Sequence, residues 1–209
     1  VTGTMPGAAR LAAEAAMRAG AGYVRLLGPH SRDLALPAEM VADERPLAEA
    51  LSDGRYRALL VGRGLGRDIG AHEALGEALA CGIPCVLDAD ALTLLDPEAR
   101  QRAGSLILTP HEGELLKLEQ AFELEHDAQA PLHRRAATLA SVSSALVVAK
   151  GPNTAIAAPG GGMRLAPRAS PWLSVAGSGD VLAGIIASRL ATAADPDQAA
   201  AQGVWLHGE

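Results

Sequence analysis

Four short, mainly apolar runs recur along the chain, three of them followed at once by glycine or a charged residue and one by Thr109-Pro110-His111. They are ALLV at 58–61, PCVL at 84–87, SLIL at 105–108 and ALVVA at 145–149. A run without polar alternation suits a strand covered on both faces, the usual condition of a parallel sheet. Helix-patterned segments separate the runs. Residues 7–19 are Ala-rich with Leu11, Ala15 and Arg18 at helical spacing and Gly20 as the stop, and further helices are predicted over 69–81, 132–144, 180–191 and 197–206. A strand is predicted over 22–27, and short helical pieces over 47–51 and 113–118. The polar stretch 119–130 reads as a surface loop or an irregular helix. Residues 154–158 and 163–165, joined by Pro159-Gly160-Gly161-Gly162, read as a hairpin. This alternation predicts an α/β protein with a mostly parallel central sheet and helices on both faces.

In such sheets ligands bind beyond the carboxyl ends of the strands, so those ends belong together. They carry Gly62-Arg63-Gly64-Leu65-Gly66, Asp88-Ala89-Asp90, Thr109-Pro110-His111-Glu112-Gly113-Glu114 and Lys150-Gly151-Pro152-Asn153-Thr154. One loop of this kind would mean little; four point to one composite site. Lys150 closes an apolar strand, where a lysine either reaches a phosphate or snorkels to water. His111 stands at the ligand-facing edge, and Glu112 or Glu114 could help hold Mg²⁺ through water.

A fifth stretch, Gly177-Ser178-Gly179-Asp180, runs straight into the apolar helix Val181-Leu182-Ala183-Gly184-Ile185. Two readings fit these residue types. Ser178 or Asp180 can cap the helix, with the glycines as spacers. Alternatively, glycines that bring the backbone close to a ligand, followed by a helix N-terminus, form an anion site with a carboxylate beside it.

Other constellations are less telling. The glycine turn at 62–66 resembles a dinucleotide-binding fingerprint, with Asp88 placed like its ribose-binding acid. Arg67, however, stands where the third glycine belongs, and a turn that admits a flat ligand is the better reading. The phosphate-loop pattern G-x-x-x-x-G-K-[ST] is missing. His30, His72, His126 and His133 read as surface residues, and Trp172 and Trp205 as packing residues. Cys81 and Cys85 are four apart, which fits neither a C-x-x-C redox pair nor a zinc site, and they read as buried free thiols of a reducing cytoplasm. The net charge of −6 argues against a nonspecific nucleic-acid binder, and no apolar run is long enough for a membrane span.

Taken together, the motifs resemble the ADP-dependent NAD(P)H-hydrate dehydratases of the ribokinase-like superfamily. The resemblance runs from Met5-Pro6-Gly7-Ala8-Ala9 through Val61 to Gly66, Val86 to Leu92, Leu108 to Glu114, Val148 to Thr154 and Ala176 to Gly184, and ends near Leu206-His207-Gly208. It implies a single ribokinase-like three-layer domain over 1–209. It also implies a repair reaction in which hydrated NADH or NADPH loses water at the expense of ADP, or of ATP in some relatives. Carried over, Ala8, Gly64, His111 and Asp180 would contact the hydrated dinucleotide. Lys150, Gly151, Pro152, Asn153 and Thr154, with Gly177, Ser178 and Gly179, would hold the adenine nucleotide. Asp180 would be the base, Mg²⁺ would accompany the nucleotide with Glu114 as a candidate ligand, and the protein would be a cytoplasmic homo-oligomer.

The chain also departs from the family's pattern. Arg63 stands where proline is usual, and Ser170-Pro171 where Asn-Pro is common. The resemblance further implies that the domain lacks the family's first strand and its C-terminal end. Two other functions are compatible with the motifs: a ribokinase-like kinase of a small vitamin or sugar hydroxyl, and a nucleotide-binding regulator without catalysis.

Overall fold

The computed structural model describes residues 1, 6–101, 103–166, 169–192 and 195–209; Met5 of the opening motif lies outside them. The first elements are α1 (Pro6–Arg18), β1 (Val24–Leu27), β2 (Met40–Asp43) and α2 (Leu47–Leu51). A first βαβ series follows as β3 (Leu59–Val61), α3 (Ile69–Ala80), β4 (Cys85–Leu87), α4 (Asp90–Leu94), α5 (Pro97–Gln101) and β5 (Leu106–Leu108). Next come α6 (Glu112–Ala121), α7 (Leu132–Ser143), β6 (Leu146–Ala149), β7 (Ala155–Ala157) and β8 (Met163–Leu165). The chain ends in α8 (Ser178–Thr192) and α9 (Pro196–Gly208).

The four apolar runs become β3 to β6, adjacent and parallel in a sheet ordered β3-β4-β5-β6-β7-β8. β7 and β8 join antiparallel, as the expected hairpin. Successive strand residues face opposite sides, which splits the core in two. Val61, Leu87, Leu108 and Val147 pack with Leu75, Leu79, Leu115 and Leu139 on one face. Val86, Ile107, Val148 and Ile156 pack with Leu182, Ile186, Ala199 and Val204 on the other. The expected three layers therefore form.

β1 and β2 make a separate two-stranded parallel sheet. An apolar cavity of about 140 Å³, lined by β1 and β3 residues, separates it from the main sheet. Helix α1 lies against α8 so closely that a Cβ on Gly184 would stand 2.1 Å from the Ala12 carbonyl oxygen. That approach fixes the start of α1 relative to the start of α8.

Several expectations change. β2, α4 and α5 were not expected. The stretch 119–130 is not all loop, because α6 continues to Ala121 and buries Glu119 and Phe122. Trp172 and Trp205 are 86% and 62% exposed, so they are not packing residues. His126 is exposed as expected, yet its Nδ1 lies 3.0 Å from Glu119 Oε2. Both cysteines are free, with Cys85 buried and Cys81 partly so. Burial pushes the Cys85 thiol up to about 12.

Candidate functional site

Four parallel strands of one direction deliver their carboxyl-terminal loops to a single sheet edge. The β3 end turns through Gly62, Gly64 and Gly66, all with positive φ. Gly62 is required by the fold: a Cβ there would stand 1.7 Å from the Asp88 carbonyl oxygen of the next strand end. That close approach leaves Arg63 pointing across the edge.

Asp88, at the end of β4, is fully buried. Its Oδ1 accepts from Lys150 Nζ at 2.7 Å and from Thr109 Oγ1 at 2.9 Å, and its Oδ2 from Arg63 Nε at 3.1 Å. Burial opposes its charge, but Lys150 and Arg63 outweigh that and hold the carboxyl below its ordinary range. With every oxygen so engaged, Asp88 is a bracket for two cations and is not free to take a ribose.

His111 precedes α6 and caps it. Its Nδ1 accepts from the N–H of Gly113 at 3.0 Å and of Glu114 at 3.3 Å, while Glu114 Oε2 accepts the His111 N–H at 2.8 Å. This reciprocal capping box leaves the ring's Nε2 to donate, 3.4 Å from Glu114 Oε1. Glu114 also lies 3.8 Å from Lys150 Nζ. Its carboxylate is thus committed to the cap, and among the described residues no group of three or more His, Cys, Asp or Glu could hold a metal.

The fifth loop opens α8. Gly177 has φ +89°, and a Cβ there would meet Leu11 Cδ2 of α1 at 2.6 Å. The Ser178 N–H is spent on the Val175 carbonyl, and its hydroxyl lies 3.0 Å from His207 Nε2 of α9. Among the described residues the N–H groups of Gly177, Gly179 and Asp180 have no such partner, as expected at a helix start. Asp180, in the first turn, is 4% exposed. Among the described residues its Oδ1 makes no hydrogen bond, although Arg63 Nε lies 2.6 Å from it. Burial raises the carboxyl above its ordinary value, against the pull of Arg63.

Three of the four expected substrate residues come together. Ala8, Gly64 and His111 line one recess of about 490 Å³, along with Arg63, Arg67, Asp90 and Lys117. Asp180 does not line that recess; it is joined to it through Arg63, whose Nε lies 2.6 Å from Asp180 Oδ1. Of the residues expected to hold the nucleotide, Lys150 faces Gly179: a Cβ at Gly179 would lie 3.5 Å from Lys150 Nζ and 2.9 Å from Arg63 Nη2. Gly151, Pro152 and Asn153 are exposed, and Thr154 leads into a second recess of about 330 Å³ with Ile156, Leu182 and His207. Sequence reasoning missed the parts played by Asp88, Arg63 and His207. The available signal was an acid and a base at adjacent strand ends.

The three-layer sheet, with its ligand edge closed by a helix N-terminus, is that of the ribokinase-like proteins. A ribokinase-like superfamily protein from Enterococcus faecalis superposes with a TM-score of 0.75 at 25% identity, over 97% of this chain and 72% of its own. Within that class the chain belongs to the NAD(P)H-hydrate dehydratase family, whose model matches residues 1–209. The ADP/ATP-dependent NAD(P)H-hydrate dehydratase from Bacillus subtilis, co-crystallized with ATP/Mg²⁺ and soaked with CoA, superposes with a TM-score of 0.84 at 31% identity. That match covers 99% of this chain and 77% of the other. The bifunctional NAD(P)H-hydrate repair enzyme Nnr of Mycobacterium tuberculosis is 40% identical over 202 residues, 95% of this chain. The chain spans 41% of that relative's length. No helix among the described residues is long and apolar enough to cross a membrane.

Proposed function

We propose that this domain dehydrates hydrated NADH and NADPH, using ADP or ATP as phosphoryl donor, and so returns the intact cofactor. The observation that carries this reading is the placement of Asp180. A buried carboxylate with a raised pKa sits at a helix start with its Oδ1 2.6 Å from Arg63 Nε, and Arg63 in turn lines the recess with Ala8, Gly64 and His111.

Hydroxide is a poor leaving group, so the hydroxyl on C6 of the hydrated ring must first be converted. Asp180 accepts the hydroxyl proton as the C6 oxygen attacks the terminal phosphorus. The new O–P bond forms while the bond from that phosphorus to the bridging oxygen breaks, releasing AMP from ADP. The N–H groups of Gly177 and Gly179 face the phosphoryl oxygens as charge shifts among them. The ring nitrogen's lone pair then expels phosphate from C6, and loss of a proton from C5 restores the double bond. Lys150 to Thr154 hold the adenine nucleotide, and the exposed Nε2 of His111 donates to the dinucleotide.

Mg²⁺ enters this reading with the nucleotide, since that ion is held mainly by phosphates and water. Among the described residues no group of three or more His, Cys, Asp or Glu forms a cage for it, and Glu114 is tied into the α6 cap.

The test is an incubation of the protein with hydrated NADH and either ADP or ATP. Return of NADH absorbance with matching release of phosphate and AMP or ADP is expected. Nucleotide turnover on a vitamin or sugar alcohol, with no return of NADH, would point to a kinase and overturn the reading. A cytoplasmic location and a homo-oligomeric assembly complete the proposal, the latter checked by sedimentation.

A further inference from the structure

One cation in this site is not assigned by the motifs. Arg63 lies inside the glycine turn after β3, yet its guanidinium reaches the start of α8. Nε contacts Asp88 Oδ2 at 3.1 Å and Asp180 Oδ1 at 2.6 Å. Nη2 lies 2.9 Å from where a Cβ on Gly179 would stand, and Lys150 Nζ lies 3.5 Å from the same point. Among the described residues neither terminal nitrogen of Arg63 makes a hydrogen bond. The side chain is 34% exposed, and Arg63 lines the 490 Å³ recess. One edge of a planar fork is therefore fixed on two carboxylates while its other donors face the helix start.

We infer that Arg63 is a phosphoryl-contacting residue, which grips the terminal phosphate of the adenine nucleotide with its free nitrogens while Nε keeps Asp180 in line with the hydroxyl. This rests on the function proposed above and extends it to a residue the family resemblance does not supply. Three features argue for it. The guanidinium fork can serve a carboxylate and a phosphate at once, whereas an ammonium acts as a single point charge. Asp88 holds Arg63 and Lys150 on its two oxygens, so a single buried carboxylate aims two cations at Gly179. Gly179 has no side chain, so Arg63 Nη2 and Lys150 Nζ can both come close to the first turn of α8, beside N–H groups that have no partner among the described residues.

The charged and titratable groups near Asp180 come from three strand ends and two helices. Arg63 approaches from the β3 end, Asp88 from the β4 end and Lys150 from the β6 end, while Glu114 of α6 acts on Arg63 and His207 of α9 lies on Ser178. Arg63 favours the ionised carboxylate, so its removal makes Asp180 easier to protonate.

The test compares wild type with Arg63→Gln and Arg63→Lys in two measurements. The first is calorimetric binding of ADP and AMP, which needs no hydrated substrate. Wild type is expected to prefer ADP; Arg63→Gln should lose roughly tenfold or more of ADP affinity and keep its affinity for AMP. The second is the pH dependence of dehydration. Arg63→Gln should lose about 100-fold in kcat, and the acid limb of kcat/KM should move to higher pH. Arg63→Lys keeps the charge, so it should hold the limb near its wild-type position while recovering only part of kcat.

Equal loss of ADP and AMP affinity, or a wild-type kcat in Arg63→Gln, overturns the inference. A shifted limb with unchanged ADP affinity also overturns it, because Arg63 would then act on Asp180 alone. If Arg63→Gln fails to fold, Arg63→Lys decides, and full wild-type kcat in that variant refutes the phosphate grip. A wild-type protein that prefers ADP to AMP but does not dehydrate hydrated NADH removes the proposed substrate and leaves the Arg63 contact standing.

Discussion

Lys150 Nζ sits 2.7 Å from the Oδ1 of a fully buried Asp88, and that contact joins the end of β6 to the end of β4 across β5. The same carboxylate takes Arg63 on its other oxygen. Removing the charge strands two cations that are only partly exposed. Asp88→Asn should therefore lower unfolding free energy by about 2 to 4 kcal/mol, somewhat under the usual loss for a wholly buried pair because water still reaches Arg63 and Lys150. The pH dependence has a definite sign. Asp88 is held below its ordinary 3.8, so its contribution is fully present above about pH 4 and fades as pH falls through the folded value. Urea unfolding over a pH series should show wild type losing stability on the acid side, with a flatter profile in Asp88→Asn. Parallel profiles would mean that the carboxyl titrates alike in the folded and unfolded chain, so that its pairing with Lys150 and Arg63 does not lower its pKa.

Asp180 has the opposite shift and the opposite use. Desolvation raises its carboxyl, so the free enzyme should lose kcat/KM on the acid side at a pH above the 3.8 of an ordinary aspartate. Asp180→Asn removes the base without changing side-chain volume. Dehydration should fall by about 100-fold or more while the melting temperature stays close to wild type. Retention of most of the activity in a folded variant would falsify the role given to this residue.

The two halves of this site differ in how far the sequence shows them. Strands β3 to β6 were legible because each is an unbroken apolar run with a polar or glycine stop, a pattern that burial on both faces demands. Gly177 to Asp180 was legible as two possibilities, cap or anion site. The structure favours the anion reading, because among the described residues the N–H groups of Gly177 and Gly179 have no partner. What could not be read was pairing across the sheet edge. Nothing near Arg63 in sequence indicates that it meets Asp88 and Asp180, because the meeting depends on the close approach of the Gly62 and Asp88 backbones. β2 was missed because MVAD carries only a partial alternation, and α4 and α5 because five residues give little periodicity to detect.

Gly184 tests whether the position of α1 matters to chemistry on α8. It lies one helical turn beyond Asp180, and a Cβ would be forced to 2.1 Å from the Ala12 carbonyl oxygen. Backbone cannot yield as a flexible side chain can, so Gly184→Ala must push the helices apart. A loss of about 1 to 3 kcal/mol is expected, with the better helix propensity of alanine offsetting part of it. Because Ala8 lies at the start of α1 and lines the recess, KM for the hydrated dinucleotide should rise more than KM for ADP. Chemical denaturation and steady-state kinetics on the same preparation read both effects.

A second buried ion pair provides a contrast, since it lies away from the proposed phosphoryl site. Glu119 accepts from Arg135 at 2.7 and 2.8 Å, with His126 at 3.0 Å, and so ties α6 to α7. Both side chains of the Glu119–Arg135 pair are under a tenth exposed. Burial opposes the Glu119 charge, yet Arg135 and His126 hold the carboxyl below its usual 4.5. Glu119→Gln should cost about 3 kcal/mol by leaving Arg135 buried without its partner. The His111 cap lies at the opposite end of α6 and draws only on Gly113 and Glu114, so kcat/KM at a temperature where the variant is folded should stay within about twofold of wild type, as for sites that share no partners. Equal losses of stability and activity would instead show that the α6–α7 contact sets the position of His111, in which case Arg135 Nη1, 3.6 Å from Glu112 Oε1 at the start of that helix, is the path.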